Sequence, residues 1–169
     1  MSMILSQLLW LGFLLFQTIV KKERIVTVVM LATIFCLFIL SSDLYFEALL
    51  FVTVSGIGLL TERYLVHQGT QQISQASIIS IPLWLPLVWG VGGVAAYRLG
   101  EVIVPHYGLL IFVLVGYLYG IFIEVILGKI GRTQHWKNSS FFGVPAWLPF
   151  SWSLGFTLVW IIPEFIKHL

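Results

Sequence analysis

Charged side chains make up only 9% of this 169-residue sequence, whereas hydrophobic residues make up 59%. A soluble domain carries roughly a quarter charged residues, so this composition excludes an ordinary soluble protein. Apolar runs close to the ~20 residues that a membrane-spanning helix needs recur along the whole chain. We therefore expect an integral membrane protein with no separate soluble domain.

The sequence also has few of the residues that bind metals or phosphates. Its single cysteine, Cys36, lies inside an apolar run, which excludes an internal disulfide and a cysteine metal cluster. It has no helical H-x-x-x-H or E-x-x-H pair and no glycine-rich phosphate loop. The net charge of +2 is spread over short loops, which suits anionic lipid headgroups better than nucleic acid. We expect no metal, no cofactor and no nucleic-acid partner.

Six apolar segments predict an all-α polytopic helix bundle that forms a single integral membrane domain over 1–169. The segments are expected at 3–20, 25–42, 44–61, 81–99, 107–128 and 144–166. Basic residues in short loops mark the cytoplasmic side, and seven of the nine follow the first, third and fifth segments. We therefore predict a multi-pass protein of the inner (plasma) membrane with both termini outside. The predicted cytoplasmic loops are 21–24, 62–80 and 129–143.

One sequence pattern occurs twice. Each copy reads G-x-x-x-E, then Thr-Gln in a loop, then P-x-W-L-P-x-x-W at the start of the next segment. The first copy contains Gly58 and Glu62, and the second contains Gly120 and Glu124. Because an even number of crossings separates the copies, they share one orientation and predict a parallel internal repeat. The predicted parts are an N-terminal helix hairpin at 1–43, repeat 1 at 44–100 and repeat 2 at 107–166.

The proline and tryptophan phrase has a structural and a functional interpretation. Pro82 and Pro145 suit the first turn of a helix, whereas Pro86 and Pro149, one turn later, predict a kinked or loosely wound helix start. The tryptophans suit an aromatic belt at the membrane boundary, because an apolar ring with one N–H donor is well placed there. The binding-site interpretation is the alternative for these four tryptophans, which are Trp84, Trp89, Trp147 and Trp152.

The two glutamates are harder to explain as structural residues. A carboxylate in hydrocarbon costs ~2.5–3.5 kcal/mol on insertion scales, so intramembrane acids usually face the bundle interior. Glu124 follows Gly120 by one turn on a strip of glycines, which suits either helix packing or the approach of a flat apolar ligand. If the repeats pack side by side, one cytoplasmic layer collects Glu62, Glu124, Gln71, Gln134, His67, His135 and Trp136.

This layer is the candidate site. Two carboxylates in a poorly hydrated space disfavour double ionisation, so one can keep and donate a proton while the other accepts one. A histidine could shuttle the proton, although a lone interfacial histidine is more commonly a polar anchor. The predicted catalytic residues are Glu124, Glu62 and His135. The predicted substrate-binding residues are Trp147, Trp152, Trp84, Trp89, Gln134, Gln71, Trp136 and Gly120.

A second polar layer is expected at the opposite end of the bundle. Asp43 and Glu47 lie one turn apart, and Arg98 ends an apolar segment at about the same depth. Acids and bases within membranes normally pair with each other. We therefore predict a charge pair that closes the outer side.

Residues 124–152 contain a glutamate, a glycine four residues later, a loop with threonine and aromatic residues, and then G-V-P-x-x-x-P-x-x-W. The positions concerned are Glu124, Gly128, Thr133, Gly143, Val144, Pro145, Pro149 and Trp152. This pattern resembles the integral-membrane carotenoid biosynthesis family that includes the bacterioruberin-type carotenoid hydratases. The family's loop is longer and richer in Gly and Tyr. The resemblance implies a membrane protein that works on long polyene or isoprenoid lipids, with Glu124 as a polar residue of its site.

The resulting hypothesis is a membrane-embedded enzyme of isoprenoid lipid metabolism that uses buried carboxylates for acid–base chemistry such as alkene hydration. Its expected partners are the bilayer and a lipid or isoprenoid small molecule, and homo-oligomerisation stays open. Two alternatives remain. Parallel repeats with kinked helices and buried acids also build small transporters. A non-catalytic assembly or binding protein could use the same glycine strips for packing alone.

Overall fold

The computed structural model describes residues 2–20, 22–73, 81–127, 134–136 and 144–167, and side chains within 3–20, 22–70, 81–125 and 144–165. Its helices are α1 Ser2–Ile19, α2 Glu23–Ile39, α3 Leu44–His67, α4 Trp84–Tyr107, α5 Leu109–Gly120 and α6 Leu148–Lys167. A π-helix, Ile121–Leu127, continues α5. Two three-residue strands, β1 Gln71–Ile73 and β2 Gln134–Trp136, lie in the connections that follow α3 and the π-helix.

The described part of the chain confirms the predicted helical class. Three helices, α3, α4 and α6, are long and apolar enough to cross a membrane. The helix α1 and the segment formed by α5 with most of the π-helix are also apolar but shorter. Helix length and composition therefore support membrane association.

The helix α4 is the centre of the bundle. Every residue from 90 to 100 is buried, because all five other helices pack against α4. Glycines allow this close packing: an added Cβ would lie 2.9 Å from Trp10 at Gly92 and 2.9 Å from Val54 at Gly93. A helix that is surrounded on all sides fits the nearly uninterrupted apolar sequence of α4.

Two helices are longer than the sequence predicts. The helix α3 continues to His67 rather than ending at 61. The helix α4 continues through Pro105 to Tyr107 rather than ending at 99, so Gly108 alone separates it from α5. Gly108 has φ +82°, a left-handed conformation that glycine adopts without steric cost. The predicted outer loop between the fourth and fifth segments is therefore wrong, because one glycine is enough to turn the chain.

The prolines lie at different helix positions from those predicted. The helix α4 starts at Trp84, so Pro86 lies in its first turn and Pro82 precedes the helix. First-turn N–H groups have no intrahelical acceptor, so proline loses no hydrogen bond there and the predicted kink is not needed. The second phrase repeats this arrangement with Leu148, Pro149 and Pro145.

Three connections lie together at one end of the bundle, which we call the strand end. The strands β1 and β2 pair antiparallel there, with Gln71 opposite Trp136, Gln72 opposite His135 and Ile73 opposite Gln134. The connection between α1 and α2 reaches the same end, because the backbone N–H of Leu83 donates to the Glu23 carboxylate at 3.3 Å. The α1–α2, α3–α4 and α5–α6 connections are thus neighbours.

A buried ion pair lies about 21 Å along α4 from the strand end. Arg98 donates from Nε to Glu47 Oε1 at 2.7 Å, and from Nη2 to Glu47 Oε2 at 2.5 Å. Its Nη2 also donates to the carbonyl of Leu37 at 3.1 Å. The predicted charge pair is therefore present. Asp43 has another role, because its carboxylate caps α3 by accepting from the N–H of Phe46 at 3.0 Å.

Candidate functional site

In each copy of the G-x-x-x-E pattern, the glutamate accepts a hydrogen bond from a tryptophan of the helix that follows. Trp89 Nε1 on α4 donates to Glu62 Oε1 on α3 at 3.1 Å. In the second copy, Trp152 Nε1 on α6 donates to Glu124 Oε1 in the π-helix at 3.2 Å. The repeated sequence pattern thus corresponds to a repeated contact.

The glycine one turn before each glutamate makes room for the indole ring. A Cβ on Gly58 would collide with the side chain of Trp89. A Cβ on Gly120 would lie 2.8 Å from Trp152 Cβ and 2.9 Å from Pro149 Cα. Because glycine has no side chain, the indole approaches the helix backbone and reaches the carboxylate one turn further on. Gly120, which we predicted to contact substrate, is therefore covered by the neighbouring helix.

The two tryptophan and glutamate pairs are adjacent. The rings of Trp89 and Trp152 stack with their centroids 6.4 Å apart and an angle of 15° between their planes. The strand pairing also brings matching positions of the two copies together. Gln72 and His135 lie opposite one another, and each is the residue that follows a Thr-Gln pair. The copies of the pattern therefore meet at the strand end.

A cavity of about 410 Å³ lies beside these pairs, and we call it the carboxylate cavity. Its volume is within the range of about 300–1,000 Å³ that is common for ligand-binding pockets. Both Glu62 and Glu124 line it, and none of its described lining residues is Lys, Arg or His. Five tryptophans line it as well: Trp10, Trp84, Trp89, Trp147 and Trp152. The rest of the wall is mostly aliphatic.

The two carboxylates have different environments. Glu62 is buried, with 6% of its surface exposed, and lies in the regular helix α3. Glu124 is half-buried and lies in the middle of the π-helix. An indole N–H is a neutral donor, so it orients each carboxylate without cancelling its charge. Two carboxylates on one largely apolar cavity repel each other when both are ionised.

The predicted tryptophans lie mainly inside the protein. Trp84 is 3% exposed, and its Nε1 has no hydrogen-bond acceptor among the described residues. Trp89 and Trp152 are half-buried. The aromatic-belt interpretation therefore fits only Trp147, which is 47% exposed and also lines the carboxylate cavity.

Other predicted site residues are placed only in part. The backbones of four pair in the sheet at the strand end, but their side chains lie outside the described residues: Gln71, Gln134, His135 and Trp136. His67 is exposed at the end of α3 and does not line the carboxylate cavity. Three positions of the family resemblance also lie outside the described residues: Gly128, Thr133 and Gly143.

The sequence did not predict the contribution of α1 to the site. Trp10 is 1% exposed and stacks on Tyr119 with ring centroids 5.5 Å apart. Gln7 fixes α1 in place, since its Nε2 donates to the Ala95 carbonyl at 2.7 Å and its Oε1 accepts from the Tyr119 hydroxyl at 2.9 Å. A signal was available, because Gln7, Trp10 and Gln17 fall on one face of an otherwise apolar helix.

The π-helix coincides with an extra residue in the second copy. One more residue separates Glu124 from its Thr-Gln pair than separates Glu62 from the corresponding pair. A π-helix accommodates an additional residue without ending the helix, and π-helices are frequent at functional sites. The π-helix is thus found in the copy that has the longer connection.

Comparisons with known proteins do not extend this description. The chain matches no family model, and no curated protein or solved structure is significantly similar to it. The geometry and chemistry of the carboxylate cavity are therefore the basis for assigning a function.

Proposed function

We propose that the protein is a membrane-embedded enzyme that modifies a lipid or isoprenoid chain by acid–base chemistry, such as the hydration of an alkene. The observation that carries this proposal is the pair of glutamates on one apolar cavity, each oriented by an indole N–H. The resemblance of residues 124–152 to carotenoid hydratases supports a polyene or isoprenoid as the substrate class.

The proposed membrane arrangement has six spans, with a parallel internal repeat at 44–100 and 107–166. Two features support an approximate twofold axis between the repeats: the stacked Trp89 and Trp152 rings, and the strand pairing centred on Gln72 and His135. The strand end collects the three connections that follow the first, third and fifth segments, which carry most of the basic residues. The positive-inside rule then places the strand end in the cytoplasm of a plasma membrane.

The proposed reaction adds the elements of water across a C=C bond. One glutamic acid transfers its proton to the less substituted alkene carbon, and the alkene π electrons form the new C–H bond. Water attacks the resulting tertiary carbocation, and its excess proton passes to the second, ionised carboxylate. The product is a tertiary alcohol, and one proton remains on the pair of acids. No redox equivalent is consumed.

The aromatic wall of the carboxylate cavity suits a cationic intermediate. A carbocation is stabilised by the negative face of an aromatic ring, and tryptophan is the most effective of the side chains. Five tryptophans line the cavity together with both acids. A largely apolar wall also limits the access of bulk water, so that a single positioned water molecule can react.

The structure favours an enzyme over the alternative of a transporter for one reason. The ion pair of Glu47 and Arg98 is buried in the interior of the bundle, towards the end of α4 that is opposite the strand end. Neither partner of the pair lines the carboxylate cavity, and both acids of the cavity lie towards the strand end. That position supports an enzyme, since the sites of repeat-built carriers lie near the bilayer midplane.

The first test compares the wild-type protein with Glu124→Gln. The amide keeps an acceptor for the Trp152 N–H, so we expect the variant to fold but to lose turnover. Mass spectrometry of lipids from expressing cells should show a product heavier than its precursor by one water molecule in the wild type only. Glu101→Gln, at an exposed position towards the other end of α4, is the matched control and should keep the product.

Other outcomes would favour the alternatives. Identical lipids in wild type and in Glu124→Gln would contradict the enzyme. A proton-dependent flux in proteoliposomes that is lost in Glu62→Gln and Glu124→Gln would identify a transporter. An assembly protein predicts that both glutamates tolerate substitution, while bulky residues at Gly116, which packs against Phe156, abolish function.

A further inference from the structure

The wall of the carboxylate cavity is incomplete between α3 and α6. The helix α3 packs against α4, and α6 packs against α4 and α5, but α3 and α6 do not pack closely against each other over the residues that the structure describes. Both helices contribute to the cavity lining beside this gap. Ile57 of α3 is 54% exposed and Leu158 of α6 is 44% exposed, although both line the cavity.

We infer that this gap is a lateral opening through which the chain of an uncharged membrane lipid reaches the two carboxylates. The inference rests on the proposed function and adds the direction of access and the charge of the substrate. Leu158 lies about 9 Å along α6 from Trp152, on the side away from the strand end. The opening therefore faces the hydrocarbon of a bilayer rather than its headgroups. Exposed apolar side chains beside a groove suit contact with acyl chains.

The charges of the cavity select against an anionic headgroup. Glu62 and Glu124 are its acids, and its described lining includes no basic residue. A phosphate or diphosphate group would therefore lose water and gain like-charge repulsion, with no cation among the described lining residues to compensate. A hydrocarbon chain, or a chain that ends in a hydroxyl group, avoids both costs.

Gln17 Oε1 and Trp84 Nε1 have no hydrogen-bond partner among the described residues, but both atoms are buried and neither is open to the carboxylate cavity. The occupant is therefore assigned from the charges and the apolar wall of the cavity, as an uncharged isoprenoid lipid of the class named in the proposed function.

A glycine beside the gap allows a clean test. Gly155 of α6 is exposed and lines the cavity, and a Cβ built on it meets no atom within 4 Å. A large side chain at this position narrows the gap without displacing the core. Gly56 of α3 is also exposed with nothing within 4 Å, but it does not line the cavity. Gly56→Trp is therefore the matched control for Gly155→Trp.

The experiment uses a photoreactive C20 prenol that carries a diazirine, added to the full chain in lipid nanodiscs. After irradiation, mass spectrometry of peptides identifies the labelled positions. We expect labelling of cavity residues in the wild type and in Gly56→Trp, and a decrease of roughly tenfold or more in Gly155→Trp, equivalent to about 1.4 kcal/mol. Unlabelled prenol should compete with the probe, whereas prenyl phosphate should not.

Each other outcome overturns a defined part of the inference. Equal labelling in wild type and Gly155→Trp would contradict the lateral opening and leave the proposed function standing. Competition by prenyl phosphate would contradict the selection for uncharged lipids. Absence of cavity labelling in the wild type would contradict both the opening and a lipid substrate. If Gly155→Trp unfolds, Ile57→Trp narrows the gap from the opposite wall and takes its place. If the proposed function alone is wrong, the prenol probe should still label the cavity of the wild type, while the lipids of cells that express Glu124→Gln should be the same as those of the wild type.

Discussion

Removing one partner of the buried ion pair should destabilise the protein far more than removing both. Arg98 and Glu47 are each 3% exposed and are joined by two hydrogen bonds of 2.7 and 2.5 Å. Glu47→Leu would leave a buried guanidinium without its counter-ion. We expect a loss of about 3–5 kcal/mol in the free energy of unfolding, and a similar loss for Arg98→Met.

The double variant should be close to the wild type in stability. Leucine and methionine together have about the volume of the pair, and neither has a charge to desolvate. The ion pair is also imperfect, because Arg98 Nη1 is buried with no hydrogen-bond partner among the described residues. We therefore expect the double variant Glu47→Leu, Arg98→Met to lie within about 1 kcal/mol of the wild type, or to be more stable.

Reversible unfolding in mixed micelles at increasing SDS fractions measures these free energies. The sum of the stability losses in the two single variants should exceed the loss in the double variant by about 5 kcal/mol or more. This excess is the coupling energy of the pair. Arg63→Met, at an exposed position of α3, controls for the loss of an arginine and should change stability by no more than about 0.5 kcal/mol. If the single losses add up to the double loss, the two side chains are not coupled and the reasoning is refuted.

Three further predictions concern packing and hydrogen bonds around the site. Gly58→Ala should cost about 1–3 kcal/mol, because its Cβ collides with an indole ring, whereas Gly56→Ala should stay within about 1 kcal/mol of wild type in the same unfolding assay. Gln7→Ala should cost about 1–3 kcal/mol, since it removes one buried and one partly buried hydrogen bond, and unchanged stability would contradict the fixed position of α1. Trp152→Phe removes the donor to Glu124, so the variant should lower product formation while Trp147→Phe has a smaller effect.

The sequence predicted which residues meet at the strand end better than it predicted how they contact each other. The repeated pattern placed Glu62, Glu124 and the tryptophans at one level, because helix direction and rise fix the depth of each residue. It did not predict that Trp89 would bind Glu62, since that contact depends on which helices pack together. The glycine before Glu124 was open to two interpretations, and only the packing of the neighbouring helix decided between them.

The remaining differences come from parts of the chain that the repeat does not contain. The helix α1 has no copy of the pattern, so nothing in the repeat indicated that Trp10 would enter the core. The end of α4 was misplaced because Pro105 and the polar residues around it are typical of a loop. The helix nevertheless continues to Tyr107, since the missing N–H of a proline near the end of a helix affects only one hydrogen bond.

The π-helix gives the two copies of the pattern different backbone conformations at their shared glutamate position. Glu62 is carried by a regular α-helix, whereas Glu124 is carried by the wider turns of a π-helix, in the copy whose connection is one residue longer. The proposed reaction needs one acid that gives up a proton and another that takes it, and the two halves of the chain offer two different backbone settings for that residue.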